Sequence, residues 1–383
     1  MAGNYRRFRL PKIEMIKTIL PLAIWSVVLA PAQVTPAPAT PTPVWKFAVS
    51  GDSRNCGDIV MPAIASGVLK SGARFYWHLG DLRAIYDFDE DMVPPAKLGL
   101  NAPHMTIVNY LTKAWPDFID HQLRPFGALE LFLGIGNHET IYPKTREDFV
   151  HQFKSYLNSP RLRTQREHDK DTPGARSYYH WVMNDAVDFI NLDNASANTF
   201  TPDEMAWIRT RLADDGKSKS IKTIVVGMHE ALPGSKGLSH SMCDAPKGVA
   251  SGREVYNLLW NLRQSGKQVY VLASHSHFVM DDVYNTSYWK GKVLPGWIVG
   301  TAGAVRYRLP PGVPTATIAR TDVYGYLLAA VMSDGSIQFE FKEVSPDDLR
   351  LANAGKMPDA LVGWCVAENK NPQVPTPTAC GAE

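Results

Sequence analysis

Aspartate, asparagine and histidine recur in this chain where apolar runs stop. Trp45 to Ser50 leads into Gly51-Asp52-Ser53-Arg54-Asn55, and Arg74 to Leu79 leads into Gly80-Asp81. Leu129 to Ile135 leads into Gly136-Asn137-His138-Glu139, Ile221 to Gly227 into Met228-His229-Glu230, and Gln268 to Ala273 into Ser274-His275-Ser276-His277. Carboxylates lower the net charge of neighbouring cations, and neutral imidazoles are borderline donors suited to zinc, iron or manganese. His275 and His277 alternate, so on extended backbone both rings fall on one side. Each cluster alone is ordinary, since Asp after Gly is a common turn former. The ordered set carries the chemistry: five runs of strand length, each delivering polar side chains at its C-terminal end.

Those runs need a scaffold. Segments able to be helical lie between them: Ile59 to Lys70, parts of Ile107 to Leu123, Arg146 to Leu157, Pro202 to Leu212 behind Thr201 as cap, and Gly252 to Gln264. Ser177 to Met183 with Val187 to Leu192, then Val279 to Tyr284, Trp297 to Val299, Tyr326 to Met332 and Ile337 to Glu343, read as antiparallel β. Ser333-Asp334-Gly335-Ser336 is the turn expected between the last two. The expected fold class is α/β, a two-sheet β-sandwich flanked by helices over residues 44–345. Its site belongs at the strand C-terminal ends, where open α/β sheets gather ligands. Residues 346–383, with four prolines beyond Pro346, are expected to form an irregular tail.

The ordered set resembles the calcineurin-like metallophosphoesterase superfamily from about Phe47 to Phe278, and Gly136-Asn137-His138-Glu139 matches that family's most diagnostic motif without change. The resemblance implies a dinuclear centre of divalent or mixed-valence ions, Zn, Fe or Mn. It assigns Asp52 and His277 to the first ion, Asp81 to a bridging position, and Asn137, His229 and His275 to the second. The implied reaction is hydrolysis of a phosphate ester, monoester ahead of diester, by a hydroxide that the ions hold. His138 is implied as general acid toward the departing alkoxide. Glu139 is expected to orient its neighbours through hydrogen bonds.

Departures from the family pattern matter. Many members carry Asp-x-His in the first motif, whereas Arg54 stands in that histidine's place here, and a protonated guanidinium cannot ligate a metal. Arg54 either clamps the substrate phosphate or forms a structural salt bridge; both readings stay open at this level. The purple acid phosphatase branch also lacks the histidine and uses a tyrosine after the second motif, but Tyr86 falls two positions late for that role. The alternative to an enzyme is a metal-binding scaffold of the same fold. Ser274 replaces the family's usual Gly and is tolerable unless its φ is positive. His78 is expected in the core, His240 in a solvated loop with the pocket lining as the alternative, and Asp193-Asn194 in a turn or in support of the site. The insertion between Leu82 and Leu129, rich in Asp, Pro and aromatic residues, is expected in the pocket wall.

The 383 residues are 45% hydrophobic and 20% charged, enough for a sizeable core. A formal net charge of +2 argues for neither nucleic acid nor a membrane surface as partner, so the expected partner is a phosphate-ester substrate. Neither His-Glu-x-x-His nor Gly-x-Ser-x-Gly occurs, which disfavours a zinc peptidase or a serine hydrolase. Arg6, Arg7, Arg9, Lys12 and Lys17 precede an apolar run from Ile19 that ends in Ala30-Pro31-Ala32, the anatomy of a secretory signal over residues 1–32, with Met15 as an alternative start. That run is too short to span a bilayer. A periplasmic or extracellular product without a stable membrane anchor is expected, followed by a Pro/Thr-rich linker over residues 33–43. Cys56, Cys243, Cys365 and Cys380 permit three pairings; proximity suggests Cys365 with Cys380, leaving Cys56 with Cys243.

Overall fold

Apolar alternation along the strands builds two sheets whose inner faces share one aromatic core. The structure, a computed structural model, describes residues 9, 10, 12, 40–101, 104–243, 245–313, 318–372, 374–376 and 380. The chain divides after Thr40 into two units, and the description below concerns the one from Pro41 onward. Its strands are β1 (Pro43–Ser50), β2 (Phe75–His78), β3 (Glu130–Leu133), β4 (Tyr179–Met183), β5 (Val187–Asn191) and β6 (Thr223–Gly227). They continue with β7 (Gln268–Ala273), β8 (Val279–Asp281), β9 (Gly296–Val299), β10 (Ala319–Arg320), β11 (Gly325–Met332) and β12 (Ile337–Glu343). The helices are α1 (Gly57–Ser71), α2 (Ile107–Phe118), α3 (Arg146–Gln152), α4 (Lys154–Leu157), α5 (Pro160–Asp169), α6 (Pro202–Lys217), α7 (Pro246–Gln264), α8 (Pro346–Asn353) and α9 (Asp359–Ala367).

One sheet runs β12-β11-β1-β2-β3 and the other β10-β8-β9-β7-β6-β5-β4. Within them β1, β2 and β3 are parallel, as are β5, β6 and β7, so the C-terminal ends of each trio lie along one edge. Between the sheets Phe47 meets Phe189 edge-on at 5.0 Å, Trp77 meets Trp181 at 5.1 Å, and Phe132 stacks on Trp181 at 3.7 Å. Such pairs add directional contact to a large burial of apolar area. The outer face of the second sheet is covered by α6 and α7 through Met205, Ile208, Leu212, Val255 and Leu259. Thr201 caps α6 by accepting from the Glu204 amide at 3.3 Å. This is the α/β two-sheet sandwich with flanking helices that the sequence pattern predicts.

Two expectations are corrected. The tail is helical over much of Pro346 to Ala367 and irregular beyond it among the described residues. Ser345 caps α8, Leu349 packs inward, and Asn353 Nδ2 donates to the Ile59 carbonyl of α1 at 2.8 Å, while α9 buries Leu361, Val362 and Cys365. Two of the tail's prolines stand at helix starts, Pro346 in the first turn of α8 and Pro358 just before α9, where a missing N–H does no harm. The disulfides are Cys56–Cys365 and Cys243–Cys380, not Cys365–Cys380. Proximity in sequence misled, because α9 folds back against the start of α1. Helix α5 and strand β10 are additions that the sequence reading missed. The expected signal-peptide core and cleavage site, residues 19–32, lie outside the described residues, as does most of the expected linker. Among the described residues no helix is long and apolar enough to cross a membrane.

Candidate metal centre

Strands β1, β2 and β7 each lead into a residue held in the left-handed backbone region at the strand ends. Asp52 has φ 60°, Asp81 φ 59° and His275 φ 63°, a region uncommon for residues other than glycine and often found at functional sites. The loops lock one another. The Asp52 amide donates to Gly80 O at 3.0 Å, Ser53 N to Asp81 O at 2.9 Å, and Ser274 N to His229 O at 2.9 Å. A Cβ on Gly136 would stand 2.2 Å from Asp81 Oδ1, so only glycine lets the third loop lie against the second. Glu139 ties the same loops, its carboxylate accepting from the amides of Asp81 (2.9 Å), Leu82 (2.9 Å) and Gly136 (2.8 Å). That is the orienting part expected of it. Burial, followed by the Asp81 charge, pushes the Glu139 carboxyl up to about 8.

The structure brings together all six expected ligands. The donor atoms of Asp81, His229 and His275 lie within 4.8 Å of one another, and so do those of Asp52, Asp81 and His277; Asp81 belongs to both sets. In the first set His229 Nδ1 donates to Leu79 O at 3.0 Å, which leaves its Nε2 lone pair facing Asn137 Oδ1 at 3.0 Å, His275 Nδ1 at 3.0 Å and Asp81 Oδ1 at 3.3 Å. Nitrogen and oxygen atoms that converge in this way are met by a proton on one ring nitrogen or by a metal ion. Burial disfavours charge on His229, but the Asp81 carboxylate outweighs it and pushes the ring up to about 10. In the second set Asp52 Oδ1 and Asp81 Oδ2 are buried with no hydrogen bond, a cost native chains avoid unless an ion meets it. The donor chemistry of carboxylate, carboxamide and imidazole fits zinc, iron or manganese.

Arg54 lies inside the second set. Its Nη2 is 3.1 Å from His277 Nε2, its Nε 3.6 Å from Asp81 Oδ2 and its Nη1 3.5 Å from the Tyr86 hydroxyl. His138 flanks both sets, with its amide donating to Asp81 Oδ1 at 3.1 Å and its Nδ1 donating to Ala84 O at 2.5 Å. Burial and then the Arg54 charge hold the His138 ring down, at about 4. Ser274 has no positive φ and donates its hydroxyl to Leu79 O at 3.2 Å, so the replacement of glycine is accommodated. His78 is a core residue bonded to Ser53 Oγ at 3.0 Å. Asn194 supports the His229 loop through both polar atoms of the Glu230 backbone, at 2.7 and 3.1 Å.

His240 follows the alternative, pocket-lining expectation. It is not a solvated loop residue, since its ring packs 5.5 Å from His275 and 5.1 Å from Tyr307. Tyr307 itself escaped the sequence reading; it stacks on His277 at 4.0 Å from a loop with no motif around it. The acidic insertion also does more than line a wall. Asp89 and Glu90 accept from the amide and side chain of Asn55 at 2.5 and 2.9 Å, gripping the loop that carries Asp52 and Arg54. A third cluster, Asp58, Asp117 and His121, lies beside the buried Arg83 guanidinium, whose counter-charges are Asp58, Asp91 and Asp117, and His121 Nδ1 is 2.9 Å from Asp117. A groove of about 1000 Å³ beside α1 and α8, lined by Leu69, Lys70, Tyr326, Leu351 and Met357, shares no residue with the centre.

No family model matches the chain, and no curated protein matches it. Among solved structures, the chain is similar to PhoD at 16% identity, covering 81% of this chain and 73% of that one with a TM-score of 0.46. It is also similar to a protein serine/threonine phosphatase from Saccharomyces cerevisiae with similarity to human phosphatase PP5, at 15% identity and a TM-score of 0.29, covering 79% of this chain and 81% of that one.

Proposed function

We propose that this chain is an exported, metal-dependent phosphoesterase that hydrolyses a phosphate ester, a monoester ahead of a diester. The observation that carries the reading is the convergence of two donor sets on Asp81, with His138 and Arg54 beside them. Asp81, Asn137, His229 and His275 would hold metal, and Asp52 and His277 complete the centre. Metal bound there supplies positive charge for the phosphoryl oxygens and an activated water for in-line attack. The chain's own groups do the rest. Arg54 presents N–H groups to phosphoryl oxygens in the planar fork that suits them. His138 has Nδ1–H committed to Ala84 O, so Nε2, once it is protonated in the complex with the anionic ester, is the atom that delivers that proton to the leaving oxygen and returns to its neutral form. The Tyr86 ring, 5.1 Å from that of His138, walls the leaving-group side.

Two disulfides fit an oxidising compartment outside the cytoplasm. Export with cleavage near Ala32 predicts an intact mass starting near Gln33; an uncleaved cytosolic product would contradict it. The reaction is tested by stripping the protein with a chelator and assaying p-nitrophenyl phosphate and its bis-ester before and after adding Mn or Zn. Turnover that vanishes and returns supports the proposal. Bound metal without turnover on either ester would leave the scaffold reading.

A further inference from the structure

We infer that the Arg54 guanidinium takes the place of one cation, so that the chain binds a single metal ion through Asp81, Asn137, His229 and His275. This inference rests on the metal-dependent reading above, and it concerns how many ions that centre takes. The two donor sets are unequal. Around His229 Nε2 the carboxamide of Asn137, the ring nitrogen of His275 and Asp81 Oδ1 converge at 3.0, 3.0 and 3.3 Å, and none of these atoms brings a cation of its own. Around His277 the arrangement differs. His277 Nδ1 donates to Val305 O at 2.6 Å, so Nε2 carries the lone pair that an ion would need. That lone pair already accepts from Arg54 Nη2 at 3.1 Å.

The second carboxylate oxygen of Asp81 has no hydrogen bond, but it lies 3.6 Å from Arg54 Nε as an ion pair, so the guanidinium already faces it with positive charge. Arg54 is 5% exposed, and its guanidinium keeps its charge at every working pH. An ion placed among Asp52, Asp81 and His277 would compete for the same lone pairs and meet a like charge with little solvent to screen it. The arginine is held from outside as well. Asn55, next in the chain, is gripped by Asp89 and Glu90, and the Tyr307 ring stacks on His277 at 4.0 Å. A fixed guanidinium neutralises phosphoryl charge as an ion would, and it adds bidentate geometry. The first-motif arginine is therefore a resident cation in place of a lost ligand.

Elemental analysis and Mn(II) electron paramagnetic resonance of the purified chain, stripped and then loaded with excess Mn, test this. The wild type is expected to retain one equivalent with the six-line spectrum of an isolated ion. Arg54→His, which supplies a donor and removes the guanidinium, is expected to retain two with an exchange-coupled spectrum. Arg54→Ala, which only vacates the position, is expected to take up a second equivalent more weakly. Two equivalents with a coupled spectrum in the wild type would overturn the inference while leaving the metal-dependent reading intact. No Mn or Zn retained by the wild type would overturn that reading and this inference together.

Discussion

His138 shows how a single residue divides its two nitrogens between structure and chemistry. Nδ1 is anchored on Ala84 O, while Nε2 faces Asp81 Oδ2 at 3.6 Å and the open side of the centre. Burial and Arg54 keep the ring neutral well below pH 7, so the proton it donates has to be favoured by the negative charge of an arriving phosphate ester. Its neighbour Asn137 turns instead toward His229. His138→Ala is therefore expected to leave metal content unchanged and to lower kcat by roughly 10² to 10⁴ on alkyl phosphates. The loss should be far smaller on p-nitrophenyl phosphate, whose leaving group departs with little protonation. Equal loss on all esters, or loss of metal, would show that His138 is not the acid.

At the scale of elements, the second sheet is tied to its helices by a buried ionic network around His180 of β4. Its Nδ1 is 2.8 Å from Asp188 of β5, its Nε2 is 2.5 Å from Asp169 at the end of α5, and Arg211 of α6 closes the group. Burial works against charge on His180, but Asp188 and Asp169 prevail and raise it to about 9. A raised histidine contributes stability that is full below about pH 6.5, its unfolded value, and is lost as pH rises through about 9. Urea unfolding is expected to show a loss of about 3 kcal/mol from His180 between these limits. Asp215, whose carboxyl is pushed up to about 8 by burial and then by Asp188, contributes with the same sign, so the slope in His180→Gln is expected to be reduced. A variant with the same pH slope as the wild type would refute the assignment.

Much of this level was legible in advance. β7 and β12 run over the residues predicted, and the other ligand-bearing strands were found within two residues, because apolar runs of four to eight flanked by Gly are a strong signal. Helix α5 was missed although Ser159 and Pro160 mark its start, since its residues from Arg161 to Asp169 bury little and show no apolar stripe. At the centre, the six candidate donors were legible because each lies within a few residues of a strand end. His240, Tyr307, Asp89 and Glu90 were not, because they arrive on loops whose path is decided only by tertiary packing.

The whole molecule is stapled from its far end. Cys365 of α9 bridges to Cys56, two residues beyond Arg54, and Arg306 binds the carbonyls of Cys365, Val366 and Asn369 at 3.1, 2.9 and 3.0 Å. Asn369 in turn donates to Gly303 O at 3.0 Å, the same carbonyl that accepts the Cys56 amide. The tail thus supports the loop that carries Asp52 and Arg54. A non-reducing peptide map should recover Cys56 with Cys365 and Cys243 with Cys380. Cys56→Ser should lower stability by about 2–4 kcal/mol, whereas a Cys365–Cys380 peptide would disprove the pairing.

On the proposed reading this end of the sandwich holds metal and turns over phosphate esters, and Asp81 is the residue both donor sets share. The most direct measurement is the rate of p-nitrophenyl phosphate hydrolysis by Asp81→Asn in excess Mn, with bound metal determined on the same sample. The account predicts a folded protein that has lost metal and turnover together. Hydrolysis at the wild-type rate by that variant would contradict it.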